Sequence, residues 1–294
     1  MVIAGFLMAA AGEGYRVYLQ GQRRASTYEK LEVIDASILG FFFSRGRYPC
    51  PADPSLPLGD PNEGVENCTV AAAPGGCSGG LCRANGRTLT GAAAPETILI
   101  GTIPYKTLKI AQDTDTAGNA LTDASGNVVT NSSIADASTG TVLDGWNRKI
   151  VYAVTEILTD DATYNNSLGA ISVMTEAGTS LVMPVGSAHY VFFSAGENGM
   201  GAYRQDGTLH AACVAGSVDA ENCDIDGDYI SGLLAQSAGA AYYDDPFSFR
   251  SMTVTSLWQA TDDPAINPPS IFNTNPRNVG IGTLAPLDKL TVAG

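Results

Sequence analysis

The stretch Cys-Asp-Ile-Asp-Gly-Asp-Tyr at 223–229 sets Asp224, Asp226 and Asp228 at alternate positions, with Gly227 between the last two. Hard oxygen ligands at that spacing, on a loop that a glycine allows to turn, are what a Ca²⁺ site requires. The twelve-residue EF-hand loop is not completed, because the twelfth position from Asp224 is Ala235 rather than Glu. Asp219, Glu221, Asp244 and Asp245 are further carboxylates that could join as ligands. The plainer alternative is a solvated acidic turn held by a Cys213–Cys223 disulfide.

The cysteines carry the second chemistry. Cys50, Cys68, Cys77 and Cys82 cluster in one region, and Cys213 and Cys223 form a natural local pair. There is no Cys-x-x-Cys, and His189 and His210 lie far from the first cluster, so structural disulfides are expected rather than zinc thiolates. Four cysteines allow three pairings, which spacing alone leaves open. Disulfides place the folded part outside the cytoplasm.

Tyr-Tyr-Asp-Asp at 242–245 offers paired carboxylates, but no histidine or nucleophile pattern lies near it. A phosphate-cradling Gly/Lys loop, His-Glu-x-x-His and Cys-x-x-Cys-His are all missing, so neither an enzyme nor a haem carrier is expected. Ser194, His189 and His210 read as ordinary turn, strand or loop residues. Thirty Asp and Glu against 16 Lys and Arg leave a net charge of −14, which argues against nucleic acid and anionic membrane surfaces.

The elements that would hold these groups begin with residues 1–44, which lack proline. Tyr28, Leu31, Ile34, Ile38 and Phe42 recur there at helical spacing, with Arg24, Lys30, Glu32 and Asp35 between them. The pattern predicts one long helix, ended by Gly46, Pro49 and Pro51. Residues 46–95 read as a cysteine-stapled loop, and the polar stretch 112–140 as an exposed hairpin or long loop. The stretch 96–108 reads as a short strand, a turn and one helical turn, and strand-like runs at 148–158, 169–176, 179–185 and 188–196 predict an antiparallel meander. Trp146, Trp258, Tyr152, Tyr190 and Phe192 are expected to fill its core, a carbohydrate-stacking platform being the sharper alternative. The fold class is thus α+β: a helix over 1–44, a β-rich head over 46–265, and a proline-punctuated extension over 266–294.

The order of these parts resembles the type IV pilins and the pseudopilins of type II secretion. "VIAGFLMAAAGEGY" is similar to the later part of the pilin N-terminal segment, with an apolar run, an early glycine and a small polar break before Tyr15. "DGWNRKIVYAV" (144–154) resembles the stretch that opens the sheet in pseudopilin heads. "FFSAGENGMGAY" (192–203), with "DIDGDY" and "YYDDPFSF", resembles the region that closes them. The family's Gly-Phe processing site and following Glu are absent, and Glu13 sits too late to serve. The apolar run is also shorter than the about 20 residues of a membrane span. The expectation is therefore that residues upstream of Met1 are missing, with a shortened anchor as the alternative.

The resemblance implies a structural subunit of an extracellular filament on a bacterial surface. It would assemble from the inner membrane and polymerise with copies of itself through the apolar helix. A minor pilin at a filament tip, or a secreted adhesin or glycan-binding module, is the alternative. Pseudopilin heads often bind calcium in the corresponding C-terminal loop, which adds to the reading of Asp224, Asp226 and Asp228. Separately, "NVGIGTLAPLDKLTV" (278–292) resembles a repeat of phage tail fibres and surface adhesins, in which glycines permit a tight turn between short strands. An ordinary glycine-turn hairpin is the plainer reading of that segment.

Overall fold

The computed structural model describes residues 2–70, 72–110, 141–235 and 239–251, with side chains from Tyr15 to Ser251, and four short strands beyond. The polar stretch 112–140, the side chains of the first fourteen residues and the Trp258 side chain lie outside the described residues. The chain divides into two compact units, Met1–Met252 and Thr253–Gly294.

Helix α1 runs from Val2 to Arg45, 44 residues, or about 66 Å at the usual rise. It ends because Gly46 takes a φ of 72° and donates its N–H to the Phe42 carbonyl at 2.7 Å. The helical stripe is Thr27, Leu31, Ile34 and Ile38, all buried, whereas Tyr28 stays 43% exposed.

Strands β1 (Gly76–Ser78), β2 (Leu81–Thr88), β3 (Pro95–Thr102), β4 (Val151–Thr155), β6 (Ala188–Phe193) and β8 (Phe247–Ser251) form one antiparallel sheet in that spatial order. The fold is α+β. α1 covers one face, where Tyr152, Val154, Tyr190 and Phe192 meet Leu31, Ile34 and Ile38. Ala153, Val191 and Phe193 point to the other face, which packs against Val173 and Tyr229. Those two residues belong to β5 (Ser172–Met174) and β7 (Asp228–Ile230), which pair in parallel. Cover on both faces explains why every residue of β6 is buried.

Two expectations need correction. The cysteine-rich region holds the regular hairpin β1–β2, turned at Gly79–Gly80, with Cys77 and Cys82 as facing partners joined by a disulfide. Residues 179–185 form no strand; Pro184 lacks an N–H to give a ladder, and Leu181, Met183 and Val185 are exposed. The other disulfides are Cys50–Cys68 and Cys213–Cys223.

From Gln20 onward α1 is seated on the head. Gly145 donates its N–H to Thr27 Oγ1 at 2.9 Å, and Lys30 Nζ donates to the Leu143 carbonyl at 2.7 Å. Asp35 accepts from Tyr190 Oη at 2.8 Å and pairs with Arg250. Backbone approach at this seat is close: a Cβ on Gly145 would lie 2.2 Å from the Arg23 carbonyl oxygen, so only glycine fits without displacing the helix. Asp144 shapes the same turn, accepting from the N–H groups of Trp146 and Arg148 at 2.8 Å and from Ser194 Oγ at 2.6 Å. Trp146 itself lies half-buried beside Arg148 rather than in the core.

In the second unit, β9 (Trp258–Ala260) pairs antiparallel with β10 (Ile271–Asn273). β11 (Val279–Ile281) and β12 (Leu290–Val292) pair in parallel, Val279 opposite Leu290 and Ile281 opposite Val292. A parallel pair needs a crossover, so the "VGIGT" glycines do not make a tight antiparallel hairpin between these strands.

Candidate metal centre

Three segments converge beside the seat of α1. The turn after β6 carries Gly196, Glu197 and Asn198; a 3-10 turn, Val218–Asn222, carries Asp219; the approach to β8 carries Asp244 and Asp245. The Cys213–Cys223 disulfide, with a Cα–Cα distance of 5.5 Å, closes the loop that bears the 3-10 turn. One carboxylate oxygen from each of Asp219, Asp244 and Asp245 lies within 4.8 Å of the others, and all three residues are buried.

Each carboxylate is aimed by neutral donors. Asp244 Oδ2 accepts from the Glu197 and Asn198 N–H groups and from Tyr242 Oη, the last at 2.7 Å. Asp219 Oδ2 accepts from Asn198 Nδ2, and Asp245 Oδ2 from Asn222 Nδ2 at 3.0 Å. Gly196, at φ 52°, permits the approach, since a Cβ there would fall 2.3 Å from Asp244 Oδ1. Two oxygens are left over: among the described residues, Asp219 Oδ1 and Asp244 Oδ1 are buried with no hydrogen-bond partner.

Electrostatics run the same way. Burial pushes the Asp244 carboxyl up, against the pull of Tyr242 and the two N–H groups. Burial pushes Asp245 up further, and the charges of Asp244 and Asp219 add to it. Arg148 is the cation acting on Asp245, and its own charge is disfavoured by burial. An all-oxygen set with buried, unpartnered oxygens and excess negative charge is what Ca²⁺ takes at six to eight oxygens.

Asp224, Asp226 and Asp228, expected as one ligand set, do not gather that way. Asp226 and Asp228 share a group with Glu221, while Asp224 hydrogen-bonds to Asp226 instead. Asp224 and Asp228 are exposed and Asp226 half-buried. Burial, with the charges of Asp226 and Glu221, holds the Asp224 carboxyl up at about 7. Of the four carboxylates read as additional ligands, Asp219, Asp244 and Asp245 meet in the buried group and Glu221 joins the exposed one. Cys50 and Cys68 lie with Glu66, but their disulfide removes both thiolates, and Glu66 is engaged by Arg47 and the Cys50 N–H.

No family model, curated protein or solved structure matches the chain. The geometry of the chain itself therefore carries the functional conclusion.

A second buried polar cluster escaped the sequence reading. Glu63 accepts from Tyr105 Oη and lies 3.5 Å from Lys106 Nζ and 3.7 Å from Lys149 Nζ. Lys149 also donates to the Pro54 and Leu56 carbonyls at 3.1 and 2.6 Å. A lysine inside the apolar run "RKIVYAV" was the available signal. His189 is buried as well, and its Nε2 meets the Asn166 carbonyl at 2.7 Å, which assigns the proton to that nitrogen. Its Nδ1 then accepts from Tyr48 Oη at 3.0 Å.

Proposed function

We propose that the chain is a non-catalytic structural subunit of an extracellular filament of the type IV pilus kind, polymerising through α1. The observation that carries this reading is the length of α1 beyond its seat. Among the described residues, the most N-terminal hydrogen bond from helix to head is Gln20 Nε2 to Glu197 Oε2 at 2.6 Å. Before it, Tyr15, Val17 and Tyr18 are 63, 68 and 61% exposed, and the twelve residues at the chain start carry no charge. Apolar helix surface of that extent is buried most simply against other copies. Three disulfides fit an oxidising location. Among the described residues no helix is long and apolar enough to cross a membrane.

Calcium belongs to this reading at Asp219, Asp244 and Asp245. Bound there, it would supply positive charge beyond that of the buried Arg148 nearby. The residues' own work is to tie the 3-10 turn and the approach to β8 to the turn after β6, whose Glu197 meets α1. The filament reading is tested by negative-stain microscopy of the full chain and of a chain lacking residues 2–19. Filaments from the first and monomers with unchanged head unfolding from the second are expected. Filaments that persist in the shortened chain, or a full chain that stays monomeric at high concentration, would overturn it.

A further inference from the structure

The face of the sheet turned away from α1 holds an open cavity of about 230 Å³. Half-buried Ile100 and Val151 and buried Phe193 line its sheet side; Met200, Leu209 and Ile225 are also among its lining residues. Both the Cys77–Cys82 and Cys213–Cys223 disulfides line it, so its shape is set before anything binds. The volume falls below the roughly 300–1,000 Å³ of free small-molecule sites and suits one large side chain presented by a protein.

Charge narrows the occupant. Among the described residues no Lys or Arg lines the cavity, whereas Asp224 does, within the electrostatic reach of Asp226, Glu221 and Asp228. The fitting partner therefore offers an apolar side chain beside a cation. This chain carries such a pair in the open. Phe43 is 79% exposed near the end of α1, and Arg45, two residues on, is exposed as well. Tyr15, Val17 and Tyr18 flank the exposed Arg16 but belong to the helix surface read as packing within the filament. Met183 and Leu233, exposed at 78 and 84%, have no Lys or Arg within two residues.

The two surfaces also sit at opposite ends of the head along the helix. Met200 follows closely on Glu197, where Gln20 docks, while Phe42 stacks on Tyr48 at 5.1 Å at the far end. Along α1, Gln20 and Phe43 are about 35 Å apart at the usual rise. A contact between opposite ends is heterologous, so each copy that accepts a side chain also offers one, and the contact propagates as an open filament when its rotation does not close into a ring.

We infer that Phe43 of one copy inserts into this cavity of the next, with Arg45 against the acidic rim at Asp224. The contact deepens the filament reading by naming a head-to-head interface besides the helix, and its test separates the two. Full-length chains carrying Ser44→Cys, with Phe43 kept, are mixed with chains carrying Leu209→Cys, both exposed positions, and treated with a short bis-maleimide. Thermal unfolding checks that the variants fold. A cross-linked dimer is expected, reduced at least about 5-fold by Arg45→Glu and regained when the accepting chain carries Asp224→Lys. Filaments without the cross-link overturn this inference and leave the filament reading standing. Cross-linked dimers without filaments overturn the filament reading and leave this one. Equal cross-linking from Met183→Cys, or no response to Arg45→Glu, overturns the inference in either case.

Discussion

Two buried acidic regions of the head solve the same problem differently. Glu63 is 2% exposed and is met by two lysines and a tyrosine hydroxyl. Asp219, Asp244 and Asp245 are equally buried, yet among the described residues their donors are amides and a hydroxyl, and two of their oxygens have none. A carboxylate closed by the chain's own cations is complete as folded. One closed only by neutral donors on one side is shaped to receive a cation on the other.

The largest effect should come from opening the closed region. Lys149→Met leaves Glu63 buried with only the partly exposed Lys106 near it, and also frees the Pro54 and Leu56 carbonyls. Urea unfolding should show a loss of about 3–5 kcal/mol, the same with calcium as with chelator. Calcium dependence of that loss would mean the two regions are coupled.

His189 extends the comparison to a buried base held neutral. Burial lowers it from 6.5 to about 4, so the unfolded chain binds its proton first as pH falls. Its contribution is fully present above pH 6.5 and is lost on descending towards pH 4, about 3 kcal/mol in all. His189→Gln should flatten the stability profile across that window; an unchanged slope assigns the acid sensitivity to other groups.

Asp244→Asn then probes the open region. With calcium at about a hundredfold its dissociation constant, the loss should be about 2–3 kcal/mol, shrinking to near zero in chelator. Equal losses in both media would remove the cation from the account. The smallest effect belongs to the exposed cluster: Asp226→Asn should change stability by no more than about 0.5 kcal/mol in either medium. A larger, calcium-specific loss there would return the ligand role to the "DIDGDY" loop.

Legibility in the sequence followed the range of the interaction. α1, β3, β4 and β6 were readable because Leu31, Ile34 and Ile38, or the run from Ala188 to Phe193, state their periodicity locally. β2 was masked by the cysteines and glycines around it, although Gly79–Gly80 between Cys77 and Cys82 carried the signal of a hairpin. The disulfide pairing among the first four cysteines had to wait for the fold. The buried acidic group was legible only as loose candidates, because Asp219 and Asp244 are brought together by the Cys213–Cys223 loop and by Asn198 from a third segment. Alternation of Asp224, Asp226 and Asp228 drew attention to a more exposed group, in which Asp226 and Asp228 gather with Glu221. Spacing reports ligand chemistry, but burial decides which carboxylates need a partner.

The seat of α1 has a mechanical meaning. Within the first unit the helix continues into the head at Arg45–Gly46, while Gln20, Thr27, Lys30 and Asp35 fasten it sideways at successive levels. A pull on the N-terminal end of α1 against the head runs along that row and loads its fastenings together, in shear. Such a joint yields only when several bonds give way at once, whereas a pull across the helix would strip them one at a time.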